Sequence, residues 1–281
     1  MNRTTESLAQ YTWLKIGGPA DIVIPENKKE LISILNECST SGESYRILGN
    51  GSNVLISDKG IDDLVIINTD ACSRLEIEGR NVYAGGSVMV PQFISSCIEN
   101  NLGGYEYLYS VPGTIGGSIY MNAGRGAGHN QTISDYLKSV EVYADGKIKT
   151  MRKNELDFDH RYSSFQNYDE LVILEAQFEL PEQSTEVGRK KAQERMSKVQ
   201  KRERSLPNAG SVFKSGARLP LHKFPPQGLS VGDARFVGPN RICNDGNASF
   251  DEVVTLINRA KLLNKIIPPF EEPEVEWKIW E

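Results

Sequence analysis

The 281-residue sequence predicts a protein of the α+β or mixed α/β class, because helix and strand signals alternate along most of the chain. Between residues 21 and 181, short runs rich in β-branched residues alternate with helical segments. The pairs Gly79-Arg80 and Asp145-Gly146 each lie between two such runs and are hairpin signals. Asn27 and Ser249 each begin a pattern typical of a helix N-terminus.

The predicted elements follow in chain order. Strands are predicted at 21–24, 45–48, 54–57, 64–68, 74–78, 81–84, 140–143, 147–151 and 171–180. A helix from Lys28 to about Cys38 has Asn27 as its N-cap and Glu30 at the capping-box position. A second helix, at 91–102, is expected to stop at Gly103-Gly104.

The last third of the chain has a different composition. Residues 182–204 are dense in Lys, Arg, Glu and Gln, which predicts an exposed helix joining two domains. The basic run 198–204 could bind phosphate, but a solvated helix face is the favoured interpretation. Ser249 and Glu252 form a capping box that opens a helix to about Asn264. At 275–279, apolar and charged residues alternate, which predicts a half-buried strand.

Composition excludes several classes of protein. Hydrophobic residues make up 39% and charged residues 25%, which is typical of globular proteins, and the net charge of −5 argues against a general nucleic-acid binder. No apolar run approaches the ~20 residues of a membrane helix, and the start of the chain lacks a signal-peptide pattern, so a cytoplasmic location is expected. Scattered cysteines and histidines predict reduced thiols and no metal site.

Two glycine-rich loops are the most informative feature. The first, Gly49–Leu55, follows the predicted strand at 45–48, and the second comprises Val111–Gly117 and Met121–Gly124. Glycine permits positive φ and close backbone approach to a ligand, and consecutive free N–H groups form an anion site. Two such loops suit a dinucleotide better than a mononucleotide. Neither loop has the P-loop or Rossmann pattern.

Both loops resemble the FAD-binding signatures of the UDP-N-acetylenolpyruvoylglucosamine reductase family, also called UDP-N-acetylmuramate dehydrogenases. Further matching segments are Tyr11–Asp21, Arg161–Phe165, Ala209–Lys214 and Pro273–Val275, so the resemblance extends from about residue 10 to residue 276. It implies non-covalent FAD, held by Gly49, Asn50, Gly51, Ser52, Asn53, Val54, Pro112, Gly113, Thr114, Gly116, Gly117, Asn122 and Gly124.

The resemblance also implies a fold and a domain organisation. The fold would be a two-lobed FAD-binding domain of the vanillyl-alcohol-oxidase/PCMH type with a smaller α+β substrate domain. The FAD-binding domain is predicted at 1–181, with lobes at about 1–70 and 71–181. A connecting helix is predicted at 182–204 and the substrate domain at 205–281.

The activity implied is reduction of the enolpyruvyl ether of UDP-N-acetylglucosamine to UDP-N-acetylmuramate, a step of peptidoglycan precursor synthesis. NADPH would give hydride to FAD, and the reduced flavin would give hydride to the β-carbon of the substrate. An enolate-like intermediate must then be stabilised and protonated. The expected partners are this nucleotide sugar and NADPH, with no nucleic acid and no membrane, and the protein is expected to be a monomer.

Three side chains match the catalytic positions of the family. Ser211 matches the proton donor to the α-carbon, Glu274 its acidic partner, and Arg161 the cation that pairs with the substrate carboxylate and the developing enolate. From the residues alone, a turn serine, a solvated glutamate and a surface arginine are also open interpretations. Lys214 and Ser215 match substrate-binding positions.

The chain departs from the family pattern where the substrate is read. His160 replaces a usual Tyr, Ser215-Gly216 replaces Asn-Pro, and the segment 217–228 is shortened. These departures leave the nucleotide sugar open, including a paralogue acting on another enolpyruvyl or unsaturated sugar.

Two further classes of flavoprotein are open. An FAD oxidase of the same superfamily would often hold FAD covalently through a His in the first loop, but residues 46–60 contain none. A non-catalytic flavoprotein would have no need of Arg161, Ser211 and Glu274 together.

Overall fold

The computed structural model describes residues 3–124, 130–168, 170–200, 206–215, 221–223, 228–238, 240–266 and 272–281. Two compact units result from the contacts within the chain. Unit 1 comprises Met1–Arg3, Ile22–Asn50 and Asp63–Lys201, and unit 2 comprises Thr4–Asp21, Gly51–Asp62 and Arg202–Glu281. Two N-terminal stretches, 4–21 and 51–62, thus belong with the C-terminal part of the chain. The functional domain boundaries given above stay a prediction.

Helices and strands both occur along the chain, in agreement with the predicted mixture. The strands are β1 (Thr4–Ser7), β2 (Pro19–Val23), β3 (Tyr45–Leu48), β4 (Val54–Ile56), β5 (Leu64–Ile67), β6 (Leu75–Glu78), β7 (Asn81–Gly85), β8 (Leu137–Ala144), β9 (Lys147–Arg152), β10 (Phe158–Asp159), β11 (Tyr162–Ser163), β12 (Leu171–Glu179), β13 (Ser230–Val231), β14 (Ala234–Gly238), β15 (Arg241–Asn244) and β16 (Lys278–Trp280). The α-helices are α1 (Lys28–Ser41), α2 (Val90–Glu99), α3 (Ile115–Tyr120), α4 (Thr185–Gln200) and α5 (Phe250–Ile266).

Unit 1 contains an antiparallel sheet with the strand order β6-β7-β12-β8-β9. The central strand, β12, has the long apolar run predicted at 171–180 and pairs with both β7 and β8. In a second set of strands, β5 pairs in parallel with β3 and with Ile22 and Val23 of β2. Phe93 and Phe178 are fully buried in the core, with ring centroids 5.1 Å apart.

Local signals predicted several boundaries correctly. Asn27 caps α1 by accepting a hydrogen bond from the Glu30 N–H at 3.1 Å, and α1 continues past the predicted end to Ser41. Asp145 and Gly146 both have positive φ, 52° and 71°, as a type I′ turn between β8 and β9 requires.

The predicted end of the second helix was wrong. Helix α2 ends at Glu99, and Asn101 has a left-handed φ of 57°. Leu102 forms an isolated β-bridge with Glu182 instead of continuing the helix. The Leu102 N–H donates back to the Cys97 carbonyl at 2.9 Å, so the left-handed Asn101 ends the helix locally, before Gly103-Gly104.

Helix α4 is part of unit 1 and packs within it, a feature that the prediction of an exposed connecting helix did not include. Ala192 is buried, and Arg195 Nε donates to Ser110 Oγ at 2.9 Å. Thr185 Oγ1 donates to the Ile98 carbonyl at 2.9 Å. Most of the basic run 198–204 lies outside the described residues.

Unit 2 contains the antiparallel sheet β13-β14-β15 and the parallel pair β16-β4. Helix α5 begins at the predicted capping box, in which the Glu252 N–H donates to Ser249 Oγ and Glu252 Oε2 accepts from the Ser249 N–H. The predicted half-buried strand at 275–279 is only partly correct. Trp277 is buried, but Ile279 is 37% exposed and the strand is confined to β16.

All four cysteines are buried free thiols, and burial raises the pKa of Cys72 to about 11 and of Cys97 to about 12. Because the thiolate is the reactive form, we expect both to react slowly with a thiol-specific chromogenic reagent at pH 8 until the protein is unfolded. Rapid labelling of Cys97 in the native protein, located by peptide mapping, would contradict this prediction. A cysteine-directed reaction in denaturant is the control for total thiol.

Candidate active site

The start of the first glycine-rich loop meets the second loop in unit 1. Asn50 Nδ2 donates a hydrogen bond to the Pro112 carbonyl at 2.5 Å. A Cβ atom at position 49 would lie 3.0 Å from Thr114 Oγ1, so Gly49 allows the first loop to approach the second. The loops are separated by some 60 residues in sequence, and this contact makes them neighbours.

The first loop retains backbone donors. None of the N–H groups of residues 49–53 donates a hydrogen bond to another residue in the described ranges of the chain. Within this stretch Gly51 is buried, and the other four residues are half-buried. Unused consecutive N–H groups next to a tight turn are what an anion such as a diphosphate requires.

The second loop uses its donors differently. The N–H of Ile115 donates to the Val88 carbonyl at 2.8 Å, and that of Gly116 donates to the Gly86 carbonyl at 2.9 Å. Thr114 caps α3 by accepting from the Gly117 N–H at 3.2 Å. The first two N–H groups hold the loop against residues 86–88 and the third is used within the loop, so in this conformation the loop offers shape and packing more than anion contacts.

Gly51 lies in unit 2 and is held closely by the N-terminal segment. Its φ is +61°, and a Cβ atom there would lie 2.0 Å from the Tyr11 carbonyl oxygen. The Trp13 N–H donates to the Gly51 carbonyl at 3.0 Å. The carbonyl of Asn53 accepts a hydrogen bond from the Lys278 N–H at 3.0 Å, which connects the loop to β16.

Asn122 is a buried polar side chain at the end of the second loop. It is 2% exposed and has a left-handed φ of 42°. Its Nδ2 donates to the Asp159 carbonyl at 2.8 Å, whereas its buried Oδ1 has no hydrogen-bond partner in the part of the chain that the structure describes. Gly124, two residues on, forms a β-bridge with Thr132.

Arg161 lies at the turn of a short hairpin that the sequence analysis missed. Strands β10 and β11 pair Phe158 with Ser163, and Arg161 between them has a φ of 56°. Positive φ is uncommon for a residue with a long side chain and often marks a functional site. The Arg161 side chain is half-buried, with its Nε buried. A two-residue strand is too short for the periodicity signals used above.

Ser211, Lys214 and Glu274 lie in unit 2, where two segments pair. The Lys214 N–H donates to the Glu274 carbonyl at 2.9 Å, and the Glu276 N–H donates to the Val212 carbonyl at 2.7 Å. Lys214 Nζ also forms an ion pair with Glu274 Oε1 at 2.5 Å. Ser211 is half-buried one residue before this pairing, and Ser215, one residue after Lys214, is exposed.

Asn240 fixes the same segment and was not singled out from the sequence. Its Oδ1 accepts from the Phe213 N–H at 2.9 Å, and its Nδ2 donates to the Phe213 carbonyl at 2.6 Å. No local sequence signal points to this brace. Among the departures from the family pattern, His160 is exposed, and Gly216 and most of 217–228 lie outside the described residues.

Lys278 is a second residue that the sequence analysis did not assign to the site. It is half-buried, and burial lowers its pKa, with a further lowering by Lys214 that Glu274 opposes. Its charge therefore interacts with both residues of the ion pair. Alternation along 274–278 places it on the face of Glu274, for which a solvated glutamate was one open interpretation.

The available groups fit a dinucleotide cofactor. The first loop offers N–H groups for a diphosphate, and Asn122 Oδ1 offers an acceptor for an N–H or hydroxyl group. Within the described ranges, no group of three His, Cys, Asp or Glu residues could hold a metal ion. No described helix is long and apolar enough to cross a membrane.

Comparisons with known proteins agree on one family. Residues 19–152 match the family model described as an FAD binding domain. UDP-N-acetylenolpyruvoylglucosamine reductase from Carboxydothermus hydrogenoformans is 36% identical over 92% of this chain and 87% of its own length. The reductase of that name from Bacillus subtilis is 32% identical over 91% and 86%. The crystal structure of UDP-N-acetylenolpyruvylglucosamine reductase from Thermus caldophilus superposes with a TM-score of 0.82, at 29% identity and with full coverage of both chains.

Gly51→Ala tests the need for a bare backbone in the first loop. We expect the variant to bind less flavin and to unfold at a lower melting temperature, because the new Cβ would collide with the Tyr11 carbonyl. Gly79→Ala is a matched control: its φ is +60° and no atom lies within 4 Å of its Cβ, so it carries only the left-handed strain of about 1–2 kcal/mol. Equal losses of melting temperature and full flavin content in both variants would contradict the prediction.

Proposed function

The chain belongs to the UDP-N-acetylenolpyruvoylglucosamine reductase family, and we propose on that premise that it reduces the enolpyruvyl ether of UDP-N-acetylglucosamine to UDP-N-acetylmuramate. FAD is its cofactor and NADPH its reductant. The relatives support the reaction along nine tenths of the chain. The observation that carries it here is the contact of the two glycine-rich loops through Asn50 and Pro112. We assign the reaction to the cytoplasm.

Residues of both loops hold the cofactor in this proposal. The N–H groups of residues 49–53 bind its diphosphate, because they have no acceptor among the described residues. Pro112, Gly113 and the start of α3 form the adjoining wall, and Asn122 Oδ1 accepts from a donor of the cofactor. Bound FAD supplies the redox step, taking hydride from NADPH and giving it to the β-carbon of the substrate.

Arg161 stabilises the negative charge that develops on the substrate. Its guanidinium fork matches a carboxylate, and a cation that is already positioned needs little reorganisation as the enolate forms. The support for this role is the hairpin, which fixes the Arg161 backbone at a positive φ. A flexible surface arginine would not require such a backbone.

Ser211 gives the proton to the α-carbon, which completes the conversion of an enolpyruvyl to a lactyl ether. Glu274 assists as the acidic partner, and Lys214 binds the anionic nucleotide sugar. The support is the pairing of the 212–214 and 274–276 segments, which brings Lys214 and Glu274 together. Glu274 is 72% exposed, so it can leave the ion pair when an anion reaches Lys214.

Ser211→Ala separates the two half-reactions. We expect reduction of the bound flavin by NADPH to stay near the wild-type rate, and anaerobic reoxidation by the enolpyruvyl nucleotide sugar to fall by about 10²–10⁴-fold, the usual contribution of a positioned proton donor. Both rates are read by stopped-flow absorbance of the flavin.

Ser230→Ala is the control, because Ser230 is an exposed serine on β13 of the same unit. Equal losses in both half-reactions of Ser211→Ala would remove Ser211 from the proton-donor role. Wild-type protein that NADPH reduces but this sugar does not reoxidise would refute the proposed substrate.

A further inference from the structure

One buried amide connects the end of the second loop with the hairpin that carries Arg161. Asn122 lies two residues after α3, and its Nδ2 donates to the Asp159 carbonyl at 2.8 Å. Asp159 is the last residue of β10 and pairs with Tyr162, so His160 and Arg161 form the turn between them. The Asn122 bond therefore reaches the backbone two residues before Arg161.

The hairpin depends on such external bonds, because its two strands have two residues each. Ser163 Oγ donates to the Tyr120 carbonyl at 2.7 Å. Gln166 Nε2 donates to the same carbonyl at 2.9 Å and to the Arg161 carbonyl at 3.3 Å. Residues 120–122 thus receive or donate three side-chain hydrogen bonds that fix the backbone around Arg161.

The other end of the Asn122 amide points to a ligand. The bond to a carbonyl requires an N–H donor, which fixes the nitrogen toward Asp159 and the oxygen away from it. That oxygen is buried without a partner among the described residues, and a buried acceptor without a donor is unfavourable. FAD carries N–H and hydroxyl donors, and the residue lies at the end of the loop that holds it.

We propose that Asn122 is a positioning residue that couples cofactor binding to Arg161, with Nδ2 fixing the turn and Oδ1 accepting from an N–H or hydroxyl group of FAD. This inference rests on the proposed function. Binding of FAD then orders the Asn122 amide, and the ordered amide holds the Arg161 turn before the nucleotide sugar enters. Asparagine suits the position because it tolerates the left-handed backbone better than most residues.

Two substitutions separate the two ends of the amide. Asn122→Asp keeps an acceptor and tolerates positive φ but loses the donor to Asp159. Asn122→Gly also tolerates positive φ, but it removes both the Nδ2 donor and the Oδ1 acceptor. We expect FAD affinity, from fluorescence titration of the apoprotein, to stay near wild type in Asn122→Asp and to fall about tenfold in Asn122→Gly.

The second half-reaction reports the effect on Arg161. At saturating FAD, we expect both variants to be reduced normally by NADPH and to be reoxidised by the enolpyruvyl sugar about tenfold to 10²-fold more slowly, as a misplaced catalytic group predicts. Asn167→Ala is the control, since Asn167 follows the same hairpin and its side chain donates to the Tyr162 hydroxyl at 2.9 Å, away from Asn122 and from the Arg161 backbone. Unchanged reoxidation in Asn122→Asp overturns the proposal.

A double-mutant cycle distinguishes positioning from general stability. If Asn122 acts through Arg161, Asn122→Asp adds little to the reoxidation defect of Arg161→Ala. Multiplicative defects overturn the proposal. Gln166→Leu is the second route: it removes the bonds to the Tyr120 and Arg161 carbonyls while leaving Asn122 intact, so we expect slower reoxidation with unchanged FAD affinity. Normal reoxidation in Gln166→Leu also overturns it.

The wild-type protein separates this inference from the proposed function. Wild-type protein that fails either half-reaction refutes the function. Wild-type protein that performs both, with Asn122 variants that match it, refutes the coupling alone.

Discussion

The close approach of Gly49 to Thr114 is the constraint on which the rest of the candidate site in unit 1 depends. Glycine at position 49 favours this approach, since a Cβ atom there would lie 3.0 Å from Thr114 Oγ1, and the Asn50–Pro112 hydrogen bond holds the two loops in contact. Thr114 also caps α3, and the residues that follow α3 hold the Arg161 hairpin. The start of the first loop and the Arg161 hairpin are therefore parts of one continuous set of contacts.

In unit 2 the backbone of the candidate site is fixed, whereas the charged side chains on it are held less firmly. The segments 212–214 and 274–276 pair through their backbones, and Asn240 forms two hydrogen bonds with the backbone of Phe213. These bonds fix the backbone positions of Lys214 and Glu274. Their ion pair is largely exposed at Glu274, so it contributes little to stability. The half-buried Lys278 adds a second cation next to it. A weak pair beside an additional cation suits a site that must accept an anionic substrate and release it.

The sequence was sufficient to predict those features that depend on hydrogen bonds between nearby residues. The caps at Asn27 and Ser249 and the Asp145-Gly146 turn were predicted correctly, because each depends on bonds within four residues. The end of α2 was predicted wrongly, because the left-handed residue that ends it is Asn101 and not one of the glycines that follow. The Arg161 hairpin was missed because strands of two residues show no periodicity, although the long strand β12 beside it was predicted almost to its ends.

The sequence by itself determined the two glycine-rich loops, the residues that match a catalytic set, and the family to which the chain belongs. Only the tertiary structure decided which backbone donors remain available. The N–H groups of Ile115 and Gly116 donate to carbonyls at 86–88, whereas those of residues 49–53 have no acceptor among the described residues. The same holds for Asn122, whose Nδ2 donates to the Asp159 carbonyl while its buried Oδ1 has no partner among the described residues. The physical reason is that hydrogen-bond satisfaction depends on groups brought together from distant parts of the chain, which no local pattern records.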